Sequence, residues 1–155
     1  MELKTKVAAG EGSQDLVITR TFDLPVELLF KAYVDPELIA QWMGTRVVEF
    51  ENEPLGCYRF ETTDQQGNVV FSANGVMHEL VQNERITRTF QMENTPFPVQ
   101  LEFLEFQAIT TDTSRLVIQI VFKSAEYRNQ LLQMPFASGL NMAHNRLEAV
   151  VKEPI

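Results

Sequence analysis

The chain of 155 residues and 17.7 kDa has the length of one globular domain, enough for a single sizeable core and too short for two ordinary ones. With 45% hydrophobic residues, 22% charged residues and 11 Phe, it is excluded from the class of intrinsically disordered chains. Thirteen Lys and Arg against 21 Asp and Glu leave a net charge of −8, which repels phosphodiester backbones and anionic lipid, so neither nucleic acid nor a membrane surface is an expected partner.

Residues 1–14 are polar and Gly-containing without an apolar period, and read as a flexible N-terminal segment ahead of a single domain over 15–155. Leu16-Val17-Ile18-Thr19-Arg20-Thr21-Phe22 is rich in β-branched and apolar residues and stops at Asp23, as a strand does. Pro25 suits the first turn of a helix, and Val26, Leu29, Phe30 and Tyr33 then recur at helical spacing, which predicts a helix to 34. Asp35-Pro36-Glu37 starts a second: Asp35 can accept the free N–H groups, Pro36 has no N–H to leave unpaired, and Gly44 ends the helix after 36–43. From 45 to 123 the period falls to two, with turn signals between strands near 46–52, 57–63, 69–81, 84–92, 99–109 and 115–123. Short connections favour an antiparallel meander. Ser124 then offers a cap, and Leu131, Phe136, Leu140, Ala143, Leu147 and Val150 mark a long last helix. Pro135 should break it, leaving 127–133 as a separate turn or two.

This order resembles the helix-grip fold of the START/Bet v 1-like (SRPBCC) superfamily. The wording of Thr19-Arg20-Thr21-Phe22-Asp23-Leu24-Pro25, then Asp35-Pro36-Glu37-Leu38-Ile39-Ala40-Gln41-Trp42-Met43-Gly44, is similar to the branch that holds the activator of Hsp90 ATPase C-terminal domain and its bacterial homologues. Gly56-Cys57-Tyr58-Arg59-Phe60, Gly75-Val76-Met77-His78-Glu79-Leu80, Glu84-Arg85-Ile86-Thr87, and Gly139 followed by Arg146-Leu147-Glu148 agree with it, so the likeness spans roughly residues 16–151. The resemblance implies an α+β fold: a seven-stranded curved antiparallel sheet around a long C-terminal helix, with two short helices after strand one and a pocket of variable lining. Members of the superfamily include lipid carriers, hormone receptors, aromatase/cyclases and co-chaperones, so the fold does not fix the function. Arg88, Cys57 and Pro135 depart from the pattern of the branch, each near the expected pocket.

A two-residue turn at Gln82-Asn83 would pair Val81 with Glu84, Glu79 with Ile86, Met77 with Arg88 and Gly75 with Phe90. The face holding Ala73, Gly75, Met77, Glu79, Ile86, Arg88, Phe90 and Met92 carries the larger apolar groups and is assigned inward. Arg88 then points into the fold with Glu79 on its diagonal. Two readings compete: Arg88 presents donors to a carboxylate-bearing apolar ligand, or it and Glu79 satisfy each other. Trp42, Tyr58, Phe60, Phe71, Met77, Phe90, Phe136 and Leu140 suit a pocket wall, and suit ordinary core equally well. His144 follows Leu140 by four and borders the same stripe, more in the manner of a satisfied core histidine than of a base.

The lone Cys57 permits no intrachain disulfide and reads as a small packing residue; residues 1–14 lack the apolar run of a signal peptide, and a reducing cytoplasm is the expected compartment. No stretch approaches the roughly 20 apolar residues of a membrane-spanning helix. Neither His pairs with another metal ligand at suitable spacing, and no nucleotide or nucleophile motif is present, so no metal or cofactor is expected. Glu102 and Glu105, three apart on a strand, face opposite ways.

The leading expectation is a carrier or sensor for a small, mostly apolar ligand, acidic if Arg88 anchors it, held in a cavity between sheet and last helix. Its site would comprise Trp42, Tyr58, Phe60, Phe71, Met77, Glu79, Arg88, Phe90, Phe136, Leu140 and His144. The first alternative is a module that docks on a chaperone or other protein; the eukaryotic activator's separate N-terminal domain has no counterpart here, which argues against ATPase stimulation. The second is a cyclase or aromatase using Glu79, Tyr58 or His144 in the same pocket. Monomer and homodimer stay equally open.

Overall fold

A computed structural model of the chain describes residues 3–152. The strands are β1 (Lys6–Ala8), β2 (Asp15–Phe22), β3 (Arg46–Phe50), β4 (Cys57–Thr63), β5 (Val69–Val81), β6 (Arg85–Met92), β7 (Gln100–Ala108) and β8 (Ser114–Val121). Helices α1 (Val26–Val34) and α2 (Pro36–Met43) follow β2, and α3 (Ala125–Leu132) and α4 (Phe136–Lys152) close the described chain. All strand pairs are antiparallel in the order β1-β2-β8-β7-β6-β5-β4-β3, the helix-grip arrangement with one strand more than expected. The extra strand is β1, in the segment read as a loose arm. Its Lys6 pairs with Thr19 and its Ala8 with Val17, and the buried Arg128 guanidinium donates to the Gly10 carbonyl and Ser13 Oγ, both at 2.7 Å. Backbone pairing and a side-chain anchor 115 residues away hold this polar segment, and neither leaves an apolar period to read. Met1 and Glu2 of that segment lie outside the described residues.

The helix boundaries follow local chemistry. Asp35 Oδ1 accepts from the N–H groups of Glu37 (2.9 Å) and Leu38 (3.4 Å), Pro36 takes the first helical position, and Gly44 ends α2 in the left-handed conformation at φ 62°. Ser124 caps α3, and the break at Pro135 separates α3 from α4 as expected.

The β5–β6 hairpin departs from the simplest register in two places that cancel. The turn takes three residues, with Asn83 at φ 63° and Val81 pairing with Arg85. A bulge at His78, between the Met77 and Glu79 pairings, then absorbs the extra residue. Met77 therefore still faces Arg88, and Ala73 faces Met92, as expected. Glu79 does not stay inward: it opposes Thr87, and its Oε1 accepts from Arg85 Nε at 2.9 Å on the solvent side, while Leu80, opposite Ile86, packs against the core. Further along β5, Tyr58 of β4 lies over Gly75 and donates its hydroxyl to the Thr89 carbonyl at 2.5 Å. A Cβ at Gly75 would collide with both groups.

Helix α4 is fastened to β2 through buried polar groups. Arg20 is on the inward series Leu16, Ile18, Arg20, Phe22 and its side chain is fully buried. Its Nη2 meets Glu148 Oε2 at 3.2 Å, and its Nη1 reaches Thr5 Oγ1, the Asn141 carbonyl and Asn141 Oδ1 at 3.3–3.4 Å. Thr5 Oγ1, which accepts from Arg20, also shares a hydrogen bond with His144 Nδ1 (2.9 Å), and the other ring nitrogen, Nε2, lies 3.3 Å from the Tyr33 hydroxyl. Burial first, and the Arg20 charge second, push the His144 pKa down to about 3, so the imidazole is neutral near pH 7.

Two consequences can be measured. Gly75→Ala should lower stability by about 1–3 kcal/mol in urea unfolding, because the core around Tyr58 has no room for a methyl group; an unchanged midpoint would refute the packing. For His144, the folded pKa lies below the unfolded value of about 6.5, so the unfolded chain binds the proton first and stability falls as pH drops through the window from about 6.5 to about 3, by up to roughly 1.4 kcal/mol per pH unit. In urea titrations at neutral and mildly acidic pH, His144→Gln should show a shallower slope than the wild type; equal slopes would show that the imidazole does not titrate in this way.

Candidate functional site

Between the inner face of the sheet and the first turns of α4 lies a cavity of about 230 Å³. Ile18 of β2 and Ile118 of β8, which pair directly, form an aliphatic floor with Ile120. From α2, Trp42 lines one side; its Nε1 donates to the Ala32 carbonyl at 2.8 Å, so its one polar atom is already satisfied. The roof is one face of α4, where Phe136, Leu140 and Ala143 follow at intervals of four and three. Because α4 begins only after Pro135, Phe136 stands on its first turn, and these three residues are half-buried, as Phe90 is, which places the way in from solvent on this side.

One end of the cavity is polar. Arg88 of β6 and Glu102 of β7 are register partners; Arg88 Nε donates to Glu102 Oε1 at 2.9 Å, with 13% and 7% of the two side chains exposed. Glu102 Oε2 accepts from Gln100 Nε2 at 2.7 Å, and since a carboxylate cannot donate, this bond fixes which way the Gln100 amide faces. The guanidinium carbon lies 5.6 Å from the Tyr58 ring centre and 5.9 Å from that of Tyr33, within cation–π reach of both. Burial pushes both phenol groups above their ordinary pKa despite the neighbouring Arg88 charge, so they stay neutral hydroxyls. Among the described residues, the two terminal nitrogens of Arg88 have no hydrogen-bond partner.

The cavity gathers six of the eleven residues expected at the site: Trp42, Phe60, Arg88, Phe90, Phe136 and Leu140. The other five are elsewhere. Tyr58 stands behind Arg88 with its hydroxyl engaged by Thr89, Met77 is fully buried in the core, and His144 belongs to the Arg20 cluster. Phe71 pairs with Thr62 toward the far end of β5, and Glu79 is turned out by the bulge. The three groups needed for acid–base chemistry, Glu79, Tyr58 and His144, therefore do not converge. Cys57 is exposed rather than packed, because β4 opens with it on the outward side. Glu102 and Gln100 were not expected here. Their signal was alternation: they share a face with the buried Leu104 and Phe106, while Leu101 and Phe103 point out. No helix among the described residues is long and apolar enough to cross a membrane.

The family described as activator of Hsp90 ATPase homolog 1-like protein matches residues 23–152. Protein Ms6760 from Mycobacterium smegmatis superposes with a TM-score of 0.83 at 22% identity, over 97% of this chain and 98% of that one. A Rhodobacter sphaeroides protein gives 0.83 at 18% identity over 95% and 97%, and an Arthrobacter aurescens protein gives 0.83 at 16% over 96% and 92%. At such identities these structures show a shared fold. No curated protein matches the chain. With 23–152 accounted for, this chain belongs to the activator of Hsp90 ATPase homolog 1-like family.

Proposed function

We propose that the protein binds a small, mostly apolar molecule in the cavity between the sheet and α4, as a carrier or sensor. The observation that carries this reading is a void of about 230 Å³ whose walls are apolar and whose end holds a guanidinium with unused donors. A dry apolar cavity of about 150 Å³ is enough for benzene, and drug-sized sites begin near about 300 Å³. The ligand is therefore on the scale of one substituted ring or a short branched chain, with its polar atom toward Arg88. Trp42 is the only Trp and lines the cavity, so its emission reports occupancy. Titration with cyclohexyl alcohols, ketones and acids should change that emission, and Ala143→Phe, which fills the roof, should weaken the response at least tenfold. Native mass spectrometry of freshly purified protein should show a co-purifying small molecule. An unresponsive Trp42 together with an empty mass spectrum would end this reading.

A second reading, docking on a chaperone or another protein, is favoured by the family match and by the outward strip of Val99, Leu101 and Phe103, which are 36–49% exposed. An immobilised Hsp90-type chaperone should then retain the wild-type chain, and a Leu101→Lys/Phe103→Lys variant at least tenfold more weakly. Absence of retention at low salt would refute it.

A further inference from the structure

Resting on the ligand-cavity reading, we infer that the polar end of the cavity selects a neutral carbonyl oxygen over a carboxylate. A guanidinium inside an apolar pocket ordinarily suggests an acidic ligand, because its fork matches a carboxylate in two bonds. Here the charge is already matched. Glu102 lies 2.9 Å from Arg88 Nε, is as well shielded from water as Arg88 is, and itself lines the cavity. A ligand carboxylate at the free Nη groups would meet the attraction of Arg88 and the repulsion of Glu102 together. The repulsion offsets part of the attraction, and to that extent the cost of stripping water from the ligand's charge is uncompensated.

A neutral carbonyl group meets no such cost. Leaving water, it gives up ordinary hydrogen bonds and gains charge-assisted ones from Arg88, whose terminal nitrogens have no other partner among the described residues. The geometry keeps those donors in place. The Tyr33 and Tyr58 rings flank the guanidinium, and Tyr58 is itself pinned by its bond to Thr89. Glu102 is held on its other oxygen by Gln100, so it does not swing away to make room for a second anion. The site is a neutral donor set built from an ion pair, and the chemical class it takes is a ketone, ester or amide on a compact apolar body.

The test uses ligands matched in shape, cyclohexyl methyl ketone and cyclohexanecarboxylate, followed by Trp42 fluorescence and by isothermal titration at neutral pH. The wild-type chain should bind the ketone at least tenfold more tightly. Glu102→Gln, with folding checked by circular dichroism, leaves Arg88 unopposed and should reverse the order in favour of the carboxylate. Equal or tighter carboxylate binding by the wild type would overturn the inference while leaving the cavity reading intact. An order unchanged in a folded Glu102→Gln variant would overturn the charge-matching argument. Failure of both compounds to bind would overturn the inference and the cavity reading alike. If Glu102→Gln does not fold, the wild-type order decides alone.

Discussion

The constraint on which the structure turns is the buried charge of Arg20. Its side chain is fully buried, its Nε is without a hydrogen-bond partner among the described residues, and burial drags its pKa below the ordinary arginine value. Such a group is tolerable only where a counter-charge and further acceptors are held against it. Glu148, Asn141 and Thr5 supply them from α4 and from the segment leading into β1. The register of α4 along the sheet follows from that need, because moving the helix by one turn would leave the guanidinium bare. Since Phe136, Leu140 and Ala143 ride on the same helix, with Asn141 of the clasp between two of them, the clasp also sets the height of the cavity roof.

Among the described residues the interior thus holds two arginine–glutamate pairs with different settings. Arg20, over the Phe22 ring at 4.9 Å, has further polar partners in Thr5 and Asn141 beside Glu148 and joins elements distant in sequence. Arg88 and Glu102 stand on neighbouring strands at the lip of empty space, with aromatic rings on the guanidinium instead of a second acceptor. The first pair is accounted for by the helix it holds. The second has a local partner and spare donors in a void, which is why the ligand reading centres on it.

The parts of this arrangement that are local were legible in the sequence. The Asp35 and Ser124 caps and the Pro135 break depend on a few neighbouring residues, and each lies where its chemistry places it. Arg88 was correctly placed opposite Met77, but through an assumed turn one residue too short; the bulge at His78 restored the pairing and moved Glu79 to the other side. A bulge has no composition signal of its own here, so the false partner could not be told from the true one. Glu102 required the register between β6 and β7, which are joined by a loop whose length does not set pairing. Arg20 did leave a trace, a charge in the inward series Leu16, Ile18, Phe22; its partner 128 residues on did not. β1 left none, being short and held mainly by its backbone.

The strand order has one further outcome for how the molecule behaves in a crowd. A sheet that does not close on itself leaves a row of unpaired amides and carbonyls along each flank, and a long flat flank is a template for recruiting other chains. Here the flanking positions go to β1, with three residues, and β3, with five residues, a register irregularity after Val47 and the charges of Arg46 and Glu49. The long strands that could seed fibril growth, β5 and β7, are shut inside with neighbours on both sides. An unclosed sheet of this kind guards against runaway self-association by the brevity of its margins.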